Sequence, residues 1–86
     1  MKWNELKELV IAEYDRRDLK SHARYNALDK MEAFIKEKRP EMMSDVHASF
    51  PSDKDALKKA YEAYKGKQIN SAESSAINEI YNQLKR

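Results

Sequence analysis

Apolar residues recur at steps of three and four along most of this 86-residue chain, a spacing that gives an α-helix one apolar face. The first row runs from Trp3 to Tyr14 and is widened by Leu9, and the last row runs from Ile77 to Leu84. Strands would require alternating apolar residues, β-branched side chains and glycine turns, yet the chain has no Thr and one Gly. The pattern predicts an all-α fold: a small compact bundle of three to four helices, formed by a single helical domain over residues 1–86.

The boundary between the first two helices is weakly marked. Residues 3–17 and 21–39 each predict an amphipathic helix, but the link between them, Asp-Arg-Arg-Asp-Leu-Lys, contains neither Gly nor Pro. One bent helix over residues 4–38 therefore stays an alternative. We favour two helices, because Asp18 or Ser21 can cap a new start.

The second half of the chain has stronger boundary signals. Ser52 and Asp55 have the spacing of a capping box, with Asp in place of the usual Glu, and Asn70 and Glu73 form a second one. Gly66 lies where a glycine commonly ends a helix. These signals predict that the last two helices form an αα-hairpin. Residues 40–50, which lie between two helices, fit either a short helix or a packed loop.

Charge and composition exclude several classes of protein. The 17 basic and 15 acidic residues leave a net charge of +2, which argues against a histone-like arm or a polyanionic mimic of nucleic acid. The longest apolar run, residues 9–12, is far shorter than the roughly 18 residues of a membrane-spanning helix. The chain has no Cys, so it is not a disulfide-stapled scaffold. The first residues do not resemble a signal peptide, and we expect a cytoplasmic protein.

Signals for catalysis and metal binding are weak. Asp15, Asp18 and His22 would share one face only if the helix continued unbroken, so we interpret them as a solvated helix end rather than a metal site. His47 stands alone among apolar residues, and a general base needs a partner and a shaped pocket. The sequence has no glycine-rich phosphate loop and no nucleophile elbow. We predict a protein that is not an enzyme, without a cofactor or a small-molecule substrate.

Tyrosine and methionine favour a protein-binding function. The chain has five Tyr and four Met, and both residue types are enriched at protein interfaces. The candidate contact residues are Met42, Met43, Val46, Phe50, Tyr61 and Tyr64. The partner would be another protein or a second copy of the chain. For the stretch between Pro40 and Pro51, the competing interpretation is that it covers the bundle as a lid.

Basic and amide side chains support an alternative function, nucleic-acid binding by a helix-turn-helix-like pair of helices. The third helix would present Lys54, Lys58 and Lys65 to phosphates, and the last helix would present an outer strip of Ser74, Asn78, Asn82 and Lys85. Lysines beside an apolar stripe are also typical of any surface helix. A continuous positive surface, uninterrupted by Glu62 and Glu79, would favour nucleic acid.

Overall fold

The computed structural model describes residues 1–47 and 53–85. Its elements, in chain order, are α1 (Trp3–Arg16), α2 (His22–Lys38), a short 3₁₀ turn (Pro40–Met43), α3 (Lys54–Lys65) and α4 (Ser71–Leu84). The described part of the chain contains no strand. The prediction of an all-α bundle that ends in an αα-hairpin is confirmed. No helix in these residues is both long enough and apolar enough to cross a bilayer.

α4 is the central helix of the bundle. It contacts α1, α2 and α3, whereas the 3₁₀ turn packs against α1 and α2. Ala76, Ile77 and Ile80 of α4 are buried among the other helices. Three polar side chains of the same helix are buried as well: Glu73, Glu79 and Gln83. A helix covered on three sides has little surface left for solvent, so its polar residues must find partners inside the protein.

The predicted apolar rows form the core, with one exception. Trp3, Leu6, Val10 and Tyr14 of α1 are all buried. Leu9 is 42% exposed, so the prediction that it widens the buried stripe is wrong. Successive helical residues are about 100° apart, which places Leu9 on the flank of the stripe, where its side chain reaches solvent.

α1 and α2 are separate helices, and the break depends on the backbone of Asp18. Asp18 adopts the left-handed conformation, with φ of 56°. Leu19 N–H donates to the Tyr14 carbonyl at 2.7 Å, and Asp18 N–H donates to the Asp15 carbonyl at 3.1 Å. These two bonds define a Schellman motif, which most often has glycine in the left-handed position. Asp tolerates this conformation better than most residues do, so the helix ends here without a glycine.

Ser21 caps the start of α2. Its hydroxyl accepts a hydrogen bond from Arg24 N–H at 3.2 Å. Of the two predicted caps, Ser21 is therefore the one used, while Asp18 ends the preceding helix. The single bent helix over residues 4–38 is excluded.

The segment over residues 40–47 packs against α1 and α2 through a few apolar side chains. Met42 and Val46 are completely buried, and Val46 N–H donates to the Met1 carbonyl at 2.9 Å. This hydrogen bond joins the start of the chain to the segment that follows the 3₁₀ turn. The interpretation of this stretch as a lid is correct for residues 40–47.

The α3–α4 hairpin follows the predicted capping signals closely. Gly66 ends α3 with φ of 75°, and Asn70 and Glu73 form the reciprocal capping box at the start of α4. The start of α3 differs from the prediction. Asp53 is the N-cap, and its carboxylate accepts from Asp55 N–H at 2.9 Å. The predicted cap, Ser52, lies outside the described residues.

Candidate functional site

An aromatic cluster connects α2 and α3. The ring centroid of Phe34 lies 5.5 Å from that of Tyr61 and 5.2 Å from that of Tyr64. Tyr61 is buried, whereas Tyr64 is partly exposed and donates its hydroxyl hydrogen to Glu37 Oε2 at 2.8 Å. This hydrogen bond, together with burial, raises the pKa of Tyr64. The cluster holds the C-terminal half of α2 against α3.

An open groove of about 380 Å³ lies beside this cluster. Its lining residues are Phe34, Lys38, Arg39, Ala60, Ala63 and Tyr64. Ala60 and Ala63 have short side chains, which leave open space beside the aromatic rings. Both cations are contributed by the C-terminal end of α2, so the groove has apolar walls and a basic end. It can accept an apolar side chain that has an acidic neighbour.

The six predicted protein-binding residues do not form one surface. Three of them are buried in the core of the protein: Met42, Val46 and Tyr61. Their apolar side chains already pack against neighbouring helices, which leaves nothing for a partner to cover. Met43 is partly buried against the core, and Tyr64 lines the groove. Phe50 lies outside the described residues.

Lys65 has a structural role in the hairpin. Its ammonium pairs with the Glu73 carboxylate, and the two side chains are only 12% and 1% exposed. Lys65 Nζ also lies 5.6 Å from the ring centroid of Tyr61. Burial opposes ionisation of Glu73, but hydrogen bonds from Lys65, Tyr61 and Asn70 N–H outweigh it and lower the pKa of Glu73. An ammonium held in this way is not free to bind a phosphate.

The other predicted nucleic-acid residues are divided between two places. Lys54 and Lys85 are exposed, and Lys58 is partly exposed. Ser74, Asn78 and Asn82 line a cleft between α4 and the junction of α1 with α2. Asn82 is exposed like Lys85, whereas Ser74 and Asn78 are partly buried beside the end of α1 and the start of α2, so the outer strip stays a prediction. Glu79 is buried, so it does not interrupt an outer surface.

The cleft has a volume of about 430 Å³ and is mostly polar. It brings the amide and hydroxyl residues of α4 together with two arginines from the first junction. Its lining residues are Tyr14, Arg17, Leu19, Arg24, Ser71, Ser74, Ser75, Asn78, Glu79 and Asn82. The cleft therefore combines cationic donors, hydroxyl groups, amides and one carboxylate.

Arg24 is held in a fixed orientation in the cleft wall. Its Nη1 donates to the Leu19 carbonyl at 2.6 Å, and its guanidinium carbon lies 5.7 Å from the ring centroid of Tyr14. Arg24 Nε and Asn78 Oδ1 are buried and have no hydrogen-bond partner among the described residues. A buried donor or acceptor without a partner is costly. The Tyr14 hydroxyl is also buried without a partner in the described part of the chain, so three residues of the cleft lining carry an unsatisfied polar atom.

Glu79 supplies the acidic group of the cleft. Its carboxylate accepts hydrogen bonds from Gln83 Nε2 at 3.0 Å and from Asn82 Nδ2 at 3.3 Å. Arg17 Nη1 lies 3.8 Å from Glu79 Oε2. With two arginines and one glutamate in the lining, the formal charge of the cleft is +1. Burial raises the pKa of the neighbouring Tyr14 hydroxyl, although Ser75 and Arg24 act in the opposite direction.

The histidines and the acidic residues of the first junction do not converge. Asp15 pairs with Lys20 at 3.0 Å, and His22 is exposed at the first position of α2. His47 is exposed, and its backbone N–H donates to Asp45 Oδ1 at 3.1 Å. Within residues 1–47 and 53–85, no three acidic or histidine side chains are grouped so that they could hold a metal ion.

The residues that complete the two sites carry no signal in the sequence that would bring them together. In the groove these are Phe34, Ala60 and Ala63, which resemble ordinary core and helix-surface residues in the sequence. In the cleft, the basic character of Arg17 and Arg24 is visible in the sequence, but their position opposite α4 depends on the turn at Asp18. No protein-family model, no curated protein and no solved structure matches this chain.

Proposed function

We propose that this protein acts by binding another protein, and that the groove between α2 and α3 receives a partner segment in which an apolar side chain lies next to acidic residues. One observation carries this proposal: the groove is lined by the apolar groups of Phe34, Ala60, Ala63 and Tyr64 together with the exposed cation Lys38.

The shape of the apolar surface favours insertion over flat docking. Among the described residues, the large apolar side chains that are exposed are Met1 and Leu9, which are too few for a broad apolar patch. A groove instead lets one side chain of the partner bury most of its area. Burial of apolar surface contributes a favourable free energy of about 25 cal/mol per Å². An amphipathic helix that presents one apolar face is a common occupant of such a groove.

The basic end selects the charge of the partner. Lys38 is exposed, and Arg39 follows it directly at the end of α2. Glu37, which precedes Lys38 in α2, accepts the Tyr64 hydroxyl hydrogen at 2.8 Å. Opposite charges across an interface speed association and exclude partners of the wrong sign. We therefore expect acidic residues beside the inserted apolar side chain.

Nucleic-acid binding is less well supported by the geometry. Lys65 is engaged by Glu73, and Ser74 and Asn78 line the cleft instead of an outer face. Lys54, Lys58 and Lys85 would remain to contact phosphates. Self-association through the groove would require a second copy to supply the acidic segment.

Selection from a random peptide library on the immobilised protein tests the proposal. We expect enrichment of peptides that combine one large apolar residue with Asp or Glu, followed by saturable binding of a selected peptide in solution. Ala63→Glu, which places a carboxylate in the groove, should abolish that binding. Ala56→Glu is the matched control, because Ala56 is also exposed on α3 but does not line the groove.

The same assay separates the alternatives. Peptide binding that survives Ala63→Glu, or a library without acidic enrichment, would contradict the proposal.

Labelled random-sequence DNA serves as a second probe. Steep, log-linear weakening of DNA binding with salt would instead support the nucleic-acid function. Sedimentation at several protein concentrations tests self-association, which would also be lost in Ala63→Glu if the groove mediates it.

A further inference from the structure

We infer that the polar cleft between α4 and the junction of α1 with α2 binds a singly charged phosphate group that both accepts and donates hydrogen bonds, either inorganic dihydrogen phosphate or the monoanion of a small phosphate monoester. The cleft shares no lining residue with the α2–α3 groove. This inference is therefore independent of the proposed protein-binding function.

The arginines supply the anion-binding part of the site. The planar guanidinium of Arg24 suits a tetrahedral oxyanion. The Leu19 carbonyl and the Tyr14 ring already hold this side chain, so little of its freedom remains to be lost on binding. Arg17 is a second cation in the lining and pairs only loosely with Glu79, at 3.8 Å.

The acceptors in the cleft define which anion fits. Asn78 Oδ1 lacks a donor, and the Glu79 carboxylate lies in the same wall. These oxygens repel a fully deprotonated anion such as sulfate, but they can accept the hydrogen of a P–OH group. The formal charge of +1 in the cleft matches a monoanion better than a neutral zwitterion. A phosphate monoanion meets both requirements, because it carries one negative charge and its P–OH group donates a hydrogen bond.

The hydroxyl groups of α4 complete the lining. Ser74 and Ser75 are partly exposed and lie near the start of α4, where their side chains can donate to phosphate oxygens. The volume of about 430 Å³ exceeds the size of a phosphate ion alone. The remaining space can hold the substituent of a monoester.

The experiment is a titration of isotope-labelled protein with inorganic phosphate, followed by nuclear magnetic resonance, at constant ionic strength and about pH 5.5, where the monoanion dominates because the second phosphate pKa is about 6 or higher. We expect saturable shifts confined to Leu19, Ser74, Ser75, Asn78 and the Nε–H signal of Arg24. Sulfate and glycine, titrated in the same way, should bind at least about tenfold more weakly, since each lost charge-assisted hydrogen bond costs about that factor. Glycerol phosphate is the monoester probe, and tighter binding than inorganic phosphate identifies a monoester as the occupant.

Two variants and a control test the assignment of residues. Arg24→Lys keeps the charge but loses the planar group, and Ser74→Asp introduces a negative charge at a position near the helix start that tolerates acids. Each should weaken phosphate binding by about tenfold or more. Lys30→Gln, which removes an exposed charge elsewhere on α2, should leave it unchanged. Ser74→Asp keeps the test valid if Arg24→Lys disturbs the turn.

Three results would overturn the inference. No saturable shift at millimolar phosphate would show that the cleft is not an anion site. Equal affinity for phosphate and sulfate would show that the acceptors do not select a protonated anion. Unchanged binding in Ser74→Asp would place the bound phosphate elsewhere on the protein. None of these results bears on peptide binding at the groove.

Discussion

Lys65 and Glu73 face each other across the turn that joins α3 to α4, and their ion pair is almost sealed from water. Glu73 also accepts a hydrogen bond from Asn70 N–H at 2.9 Å, as the second half of the capping box. One carboxylate therefore completes the capping box and neutralises a buried ammonium at the same time. Because these partners lie on both helices and the turn, Glu73 fixes the geometry of the hairpin.

Replacing Glu73 should destabilise the whole bundle. We expect Glu73→Gln to reduce the free energy of unfolding by about 2–4 kcal/mol, because it leaves the buried Lys65 ammonium without a counter-charge. Urea denaturation followed by circular dichroism measures this loss. Glu8→Gln, at an exposed position of α1, is the control and should change stability by less than about 0.5 kcal/mol.

A double-mutant cycle tests whether the pair itself is responsible. Lys65→Met removes the cation, so the loss from Glu73→Gln should be smaller in that background than in the wild type. Additive losses would mean that Glu73 acts through its capping box alone.

Acid should weaken the protein through carboxylates whose pKa is lowered by folding. Burial opposes ionisation of Glu73 and Glu32, but their hydrogen-bond donors outweigh it and hold both pKa values below the usual 4.5. For Glu32 these donors are the Trp3 indole, with Nε1 2.8 Å from Oε1, and the Lys7 ammonium. The stabilisation is complete above pH 4.5 and is lost as the pH falls through the lowered folded-state values.

The check on this pH dependence is a series of urea midpoints recorded from neutral pH downwards. The wild type should lose stability below about pH 4.5, and Glu73→Gln should show a shallower decline, because one of the responsible groups no longer titrates. Identical acid profiles for the two proteins would show that Glu73 does not contribute. Glu8→Gln should follow the wild-type profile.

Asp18→Gly should stabilise the protein. Glycine adopts the left-handed conformation without the steric cost that a side chain carries, so we expect a gain of about 0.5–1 kcal/mol in the free energy of unfolding. Asp18→Asn separates this effect from electrostatics, because it removes the negative charge near the α1 C-terminus while keeping the side chain. If Asp18→Gly is less stable than the wild type, the Asp18 side chain makes a contribution that the backbone conformation does not explain.

The two adjacent methionines should respond differently to truncation. Met42 is completely buried, and Met42→Ala should cost about 2–4 kcal/mol through the cavity that it leaves. Met43 lies at the edge of the core, so Met43→Ala should cost less than half of that. Thermal and urea unfolding of both variants provide the comparison. Equal losses would contradict the packing of residues 40–47 described above.

Helical periodicity predicts which side of each helix is apolar, but it does not predict which neighbouring helix covers the polar side. The buried row from Trp3 to Tyr14 and the capping box at Asn70 depend on local spacing, and both were predictable from the sequence. The turn at Asp18 depends on an aspartate whose backbone is in the left-handed conformation. No glycine marks this turn in the sequence. That turn directs Arg24 towards α4, so the position of Asn78 in a cleft could not be inferred from α4 alone.

The central position of α4 has a consequence for synthesis of the protein. α1 packs its apolar row against α4, the helix farthest from it along the chain. Helices of 12 to 17 residues, such as these, have little stability without packing. During translation, the part of the α1 row that packs against α4 therefore stays uncovered until α4 has left the ribosome, and the bundle can then form in one cooperative step.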